Sequence, residues 1–354
     1  MRRQDLWGII AGAIVALVAI VLGLCGNPAN MAFCIACFIR DTAGALGLHQ
    51  AAAVQYIRPE VIGIVFGALF IAMLKKEYAP KGGSSPFTRF ILGACVMIGA
   101  LIFLGCPMRM VLRIAGGDWN ALVGFAGFAG GILTGITFLN RGFTLKRSYD
   151  QTPTEGMTLP AVSIMLLVLL IAAPLFIFFS DSGPGSMRAP MLLSLAGGLV
   201  VGLTAQRSRL CFIGGIRDLV MFRDFKMLLP FAVIFVLIFL GNLISGRFNA
   251  GFEGQPVAHS EWLWNILGLF LVGFASVLLG GCPLRQLVMA GSGNSDAGVT
   301  VLGYFAGAAI CHNFFLASSA AGTTPNGRIA FAVCVLLVFA IAILNTKKSQ
   351  GVAK

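Results

Sequence analysis

The chain has 354 residues, of which 58% are hydrophobic and only 11% charged, with a mean hydropathy of +0.92 and a formal net charge of +12. A soluble domain carries roughly 25% charged residues, so this chain lacks the polar coat that keeps a fold in water, and its solvent is lipid. Its positive charge sits in short loops between apolar runs and not on an aromatic–basic platform, which reads as membrane topology with no nucleic-acid partner.

A membrane span needs about twenty apolar residues. Arg2-Arg3 and the apolar run at 6–24 mimic a secretory signal peptide, and Leu24 is too bulky for a lipoprotein site at Cys25. The run is therefore expected to be a retained first helix. Further runs follow at 60–74, 88–104, 119–139, 159–179, 190–206, 227–245, 261–280, 297–317 and 328–345. The stretches 31–47, 106–116, 209–222 and 282–292 are too short and too Gly-rich to cross, and are expected to be short helices dipping into the membrane. The fold class is all-α: a polytopic integral membrane protein with about ten transmembrane helices. The 45 Gly residues suit close helix contacts in lipid.

With the N-terminus inside and ten spans, every Lys falls on the cytoplasmic side, leaving Arg40, Arg58, Arg109, Arg113, Arg188, Arg247 and Arg328 outside. The positive-inside rule thus puts both termini in the cytoplasm and the protein in a cell inner membrane. The nine Cys are an odd number, mostly in or beside apolar runs, which argues against a secreted disulfide framework. His49, His259 and His312 show no ligand spacing, so no metal and no cofactor is expected.

The chain repeats itself once. Cys34 with Arg40-Asp41 answers Cys211 with Arg217-Asp218, and Gly105-Cys106-Pro107-Met108-Arg109 answers Gly281-Cys282-Pro283-Leu284-Arg285, at offsets of 177 and 176. A Phe-Ala-Gly follows each Gly-Cys-Pro, at Phe128 and at Phe305. Residues 1–158 then form the first repeat without its last helix, 159–180 its fifth spanning helix and linker, and 181–354 the second repeat. Five spans per half invert the second half relative to the first, and inverted halves place a site at their interface near the midplane.

Proline fits the first turn of a helix. Cys106 and Cys282 thus stand at helix N-termini, where free N–H groups and the positive dipole end favour an anion. Arg109 and Arg285 follow one turn on. Arg109, Arg113 and Arg285 either serve the anion or reach for the interface. A neutral thiol offers a weak S–H donor that holds an ion without trapping it, as passage requires. Cys34 and Cys211 are expected toward the mouths of an hourglass pathway, with Cys106 and Cys282 near its constriction. Cys25, Cys95, Cys311 and Cys334 read as small apolar fillers, and Arg40-Asp41 and Arg217-Asp218 as ties between short helices and their neighbours.

The paired Gly-Cys-Pro-x-Arg motifs, the paired Cys…Arg-Asp segments and the Gly-rich spans resemble the YeeE/YedE family of sulfur-compound transporters. The stretch from Gly26 to Tyr56, with Asn27-Pro28-Ala29-Asn30 and Cys34-Ile35-Ala36-Cys37, is most similar to YedE-type selenium transporters. The resemblance covers nearly the whole chain and implies uptake of a thiosulfate-like or selenium-containing anion past membrane thiols. Its functional cysteines match Cys34, Cys106 and Cys282; Cys211 is added from the repeat. Cys37 departs from the family pattern and invites chemistry beyond transient contact.

Three other readings compete. A water channel would need a second copy of Asn27-Pro28-Ala29, which the region around Thr204 to Gln206 lacks. A membrane thiol oxidoreductase would use Cys34 and Cys37, but Cys211-Phe212-Ile213-Gly214 has no second thiol. A scaffold for a cytoplasmic sulfur- or selenium-carrier protein would dock on the linkers at 141–160 and 75–89. No Gly-x4-Gly-Lys-Ser/Thr motif occurs, and facilitated passage drawn by consumption inside the cell is the simplest energetic account.

Overall fold

The apolar runs form helices, as a backbone in lipid must satisfy its own hydrogen bonds. The computed structural model describes residues 3–346. Arg2, Lys347, Lys348 and Lys354, all assigned to the inner side by charge, lie outside the described residues.

In chain order the first half contains α1 (Arg3–Leu24), α2 (Ile35–Ala45), α3 (Pro59–Leu74), α4 (Pro86–Phe103), α5 (Pro107–Ala115), α6 (Trp119–Asn140), the single turn α7 (Pro153–Gly156) and α8 (Thr158–Ala172). The second contains α9 (Met191–Ser208), α10 (Phe212–Phe222), α11 (Leu229–Ile244), α12 (Trp262–Leu279), α13 (Pro283–Gly291), α14 (Ser295–Asn313) and α15 (Pro325–Leu344). Two-residue strands, β1 (Lys81–Gly82) and β2 (Tyr149–Asp150), pair antiparallel and clip two loops together. Short helices occupy all four stretches read as too short to span.

Among the described residues, six helical stretches are long and apolar enough to cross a membrane: Leu6–Leu24, Ala52–Leu74, Pro86–Ala115, Trp119–Asn140, Trp262–Gly291 and Pro325–Leu344. The Pro86–Ala115 window is 89% buried and the Pro325–Leu344 window 22% buried, so α4 is central and α15 peripheral. The apolar faces of α15 and α11, including Leu336 and Ile244, stay exposed. The apolar run at 159–179 does not stay helical to its end. Ala173, at φ 42°, caps α8 and Pro174 follows, and a residue before proline is disfavoured in the α conformation.

Several helices of the two halves match in length: α2 and α10 have 11 residues, α4 and α12 have 18, and α5 and α13 have 9. Their contacts match as well. The α3 helix packs on α9 as α11 packs on α1, and α6 packs on α12 as α14 packs on α4; α4 also meets α12, and α1 meets α9.

Small residues set these contacts. A Cβ added at Gly63 or Gly67 of α3 would overlap the Leu195 or Leu199 carbonyl of α9, and one at Gly198 or Gly202 would overlap the Glu60 or Ile64 carbonyl of α3. Backbone meets backbone with no side chain between, which is the packing lipid rewards. Gly67→Val is expected to lower the thermal midpoint in detergent by several degrees, since overpacking costs about 1–3 kcal/mol. Gly298→Ala, where a Cβ meets open space, is expected to leave the midpoint unchanged.

Candidate functional site

The helices α4 and α12 stop at the same motif. Leu104 at φ 64° and Gly280 at φ 81° turn the chain left-handed, and each is followed by Gly-Cys-Pro before the next helix begins. The left-handed region costs a residue with a Cβ about 1–2 kcal/mol, so the first half carries at Leu104 a strain that glycine spares the second. Pro107 and Pro283 occupy the first turns of α5 and α13, directly after Cys106 and Cys282.

The other two short helices begin at cysteines too. Cys34 caps α2, its Sγ accepting from the Cys37 N–H at 3.4 Å. Cys211 caps α10 in the same way, accepting from the Gly214 N–H at 3.4 Å. Sulfur here does the work that a hydroxyl or carboxylate oxygen does at an ordinary helix start.

These four helix tips meet in two pairs. The Cys34 and Cys106 thiols lie within hydrogen-bonding reach of each other, as do those of Cys211 and Cys282. The N–H groups of Arg109 and Ala36 lie beside the Cys106 sulfur, and those of Arg285 and Phe212 beside Cys282. All four cysteines are buried and none is in a disulfide. Each pair therefore sits in a shell of backbone donors at converging positive helix ends, a setting for a soft anion.

The two motif arginines differ. Arg109 is 0% exposed. Its Nε donates to the Asn30 carbonyl at 2.9 Å, Nη2 to Val257 at 2.8 Å, and Nη1 to the Leu104 carbonyl and to Cys37 Sγ at 3.5 Å. It ties α5 to two loops and to the second thiol of Cys34-Ile35-Ala36-Cys37. Arg285 is half-buried, close to Cys211 and Cys282, and makes one long hydrogen bond, 3.3 Å from Nη1 to Gln206 Oε1. Gln206 also lines a cavity of about 600 Å³ with Arg207, Arg209, Lys226, Glu77 and Asp224. That basic vestibule reaches Leu210, next to Cys211.

Interface-seeking does not describe Arg113. It is fully buried, with Nε 2.6 Å from Asp118, Nη1 donating to the Phe103 carbonyl at 2.8 Å, and its guanidinium 4.2 Å from the centre of the Phe103 ring. Asp41 takes two arginines, Arg40 and Arg58, each at 2.7 Å, and Arg58 goes on to the Pro184 and Met187 carbonyls. Arg217–Asp218 repeats only the first of these contacts and stays partly exposed.

Several contacts left no mark in the sequence. His49 and His312 stack with ring centres 4.4 Å apart although their spacing showed no link. Cys95 and Cys334 touch each other, away from the two pairs. Gln206 and the buried ring of Tyr304 join the surroundings of the pairs, and only their polarity on otherwise apolar helices could have flagged them. Among the described residues, no group of three His, Cys, Asp or Glu has the geometry to hold a metal ion.

Apolar crossing helices around such a set of buried thiols define a multi-pass α-helical membrane protein. Residues 207–349 match the family model described as Sulphur transport, a likeness that covers the second half of the chain and agrees with the resemblance to YeeE/YedE transporters. The chain is similar to the thiosulfate transporter TsuA of Escherichia coli (strain K12), 25% identical over 124 residues, or 35% of this chain and 35% of that one. It is also similar to the thiosulfate transporter TsuA of Spirochaeta thermophila, 30% identical over 114 residues, or 31% of this chain and 33% of that one. The aligned stretches span about a third of each relative's length. Family model and relatives alike are named for transport.

The pairing can be read with mercury, which bridges two adjacent sulfurs. A chain retaining only Cys34 and Cys106, or only Cys211 and Cys282, is expected to keep one Hg(II) through a monothiol wash, measured by intact mass. A chain retaining only Cys34 and Cys211 is expected to lose it.

Proposed function

We propose that this protein carries a small sulfur- or selenium-containing anion, thiosulfate-like in size and charge, across a cell inner membrane. The observation that supports this most is the meeting of four helix N-termini in two buried thiol pairs, one pair from each half. An anion entering either pair would find N–H groups, positive dipole ends and S–H donors, with no fixed negative charge to repel it. Neutral sulfhydryls bind weakly, and several weak stops in series are what conduction needs.

The pathway is an hourglass between two inverted five-helix repeats, ten spans in all, with α2, α5, α10 and α13 re-entrant. The exchange of contacts between halves, α3 on α9 for α11 on α1 and α6 on α12 for α14 on α4, supports a two-fold axis relating them. Cys34 and Cys106 face the outside and Cys211 and Cys282 the cytoplasm, where both termini lie. Cys37 extends the first pair, its thiol within hydrogen-bonding reach of Cys34 and held by Arg109. Arg285, loosely held beside the basic vestibule, draws the anion toward the cytoplasm, whereas Arg109 acts through the charge it lends to the first pair. A cytoplasmic sulfur- or selenium-carrier protein would receive the anion at that vestibule, and consumption there would pull the flow.

Uptake of labelled thiosulfate by cells expressing the chain tests the reading, with selenium oxyanions as competitors. Cys106→Ala and Cys282→Ala are expected to abolish uptake at normal membrane levels of protein, and Cys334→Ala to leave it unchanged. Full uptake in both of the first two variants would remove the mechanism.

A further inference from the structure

Among the buried side-chain atoms that lack a hydrogen-bond partner is a phenol near the thiol pairs. Tyr304, on α14, is 0% exposed, and its hydroxyl has no hydrogen-bond partner among the described residues. Its helix packs on α2, which starts at Cys34, and on α13, which starts just after Cys282. The ring lies within electrostatic range of Cys106, Cys211 and Cys282, thiols drawn from both pairs.

Contacts between the halves identify the matching position in the first half. A Cβ on Gly127 of α6 would meet the Ile266 carbonyl of α12, and a Cβ on Gly303 of α14 would meet the Phe90 carbonyl of α4. The same holds for Gly131 with Phe270 and for Gly307 with Ala94. Both sets are separated by 176 residues, so Phe128 corresponds to Tyr304. The Phe-Ala-Gly match of Phe128 with Phe305 is one residue out of register.

Phe128 is also 0% exposed, so a plain phenyl ring fills the equivalent place. The Tyr304 hydroxyl is thus an addition to a position that packs without it. A buried hydroxyl left without a partner is a net cost to the fold, and such a group at the meeting point of two helix-tip pairs calls for a partner that comes and goes.

We propose that the Tyr304 hydroxyl donates a hydrogen bond to the anion as it passes between the Cys34–Cys106 pair and the Cys211–Cys282 pair. This inference rests on the transport reading above. A phenol donates one hydrogen bond without bringing a charge, which bridges the gap between two sets of S–H donors without creating a trap.

The test is Tyr304→Phe, which copies the natural Phe128, measured in vesicles with labelled thiosulfate beside wild type and Cys106→Ala. Uptake at low thiosulfate is expected to fall about 10- to 100-fold, the range of one hydrogen bond to a charged partner, and to recover in part at high thiosulfate. The thermal midpoint in detergent is expected to stay level or rise. Unchanged uptake overturns the inference, and so does a fall in midpoint alongside the loss, which would make the hydroxyl structural. Uptake that survives Cys106→Ala but not Tyr304→Phe overturns the cysteine mechanism and leaves the role of Tyr304 standing. Absence of uptake by wild type overturns both.

Discussion

A helix that begins inside an apolar bundle leaves the N–H groups of its first turn facing no water. Four helices here begin in that position. Cys34 and Cys211 answer part of the demand with sulfur acceptors, and Pro107 and Pro283 remove one donor each at the other two starts. The donors that remain surround the two thiol pairs. Those of Arg109 and Ala36 lie against the Cys106 sulfur and those of Arg285 and Phe212 against Cys282, so sulfur is the acceptor at all four helix starts. Close glycine contacts bring the four tips together, because any bulk between α3 and α9 or between α6 and α12 would separate them.

The halves share this framework and differ in how charge is fixed. In the first, Arg58, Arg109 and Arg113 are wholly buried and joined to Asp41, to backbone carbonyls and to Asp118. Removing one member of such a buried pair typically costs about 3–5 kcal/mol, because it orphans the other charge. In the second half Arg217–Asp218 is partly open and Arg285 has one long hydrogen bond. The first half is thus locked by buried charge pairs, whereas the second carries its basic groups around a vestibule, with Arg207 paired to Glu77 and Lys226 to Asp224 nearer the surface.

Much of this was legible in the sequence, because lipid narrows the choices. Apolar runs of the right length had to be helices, and the Gly-Cys-Pro motifs marked where two of them break. The repeated cysteines identified the residues that the structure gathers at the helix tips, but not that Cys34 would pair with Cys106 and Cys211 with Cys282, which depends on distances no spacing encodes. The fate of Arg113 was hidden because its partner Asp118 looks like an ordinary helix cap, a role it also fills through the Asn120 N–H. The end of α8 was overrun because hydropathy counts apolar residues and does not see that Ala173 precedes a proline. Tyr304 was hidden by a one-residue slip: matching letters aligned Phe128 with Phe305, whereas backbone contact aligns it with Tyr304.

The glycine contacts carry a mechanical consequence. Where two helices touch carbonyl to Cα along several turns, sliding or tilting one against the other drives backbone into backbone, so the α3–α9, α6–α12 and α4–α14 layers behave as stiff beams. The short helices α5, α10 and α13 join the beams through three-residue connections that each hold one left-handed residue, at Leu104, Arg209 and Gly280; α5 is pinned by Arg109 and Arg113, whereas α10 and α13 carry no such buried pair among the described residues. Movement in this architecture is therefore easiest in the short helices of nine to eleven residues and hardest in the glycine-packed layers that hold them.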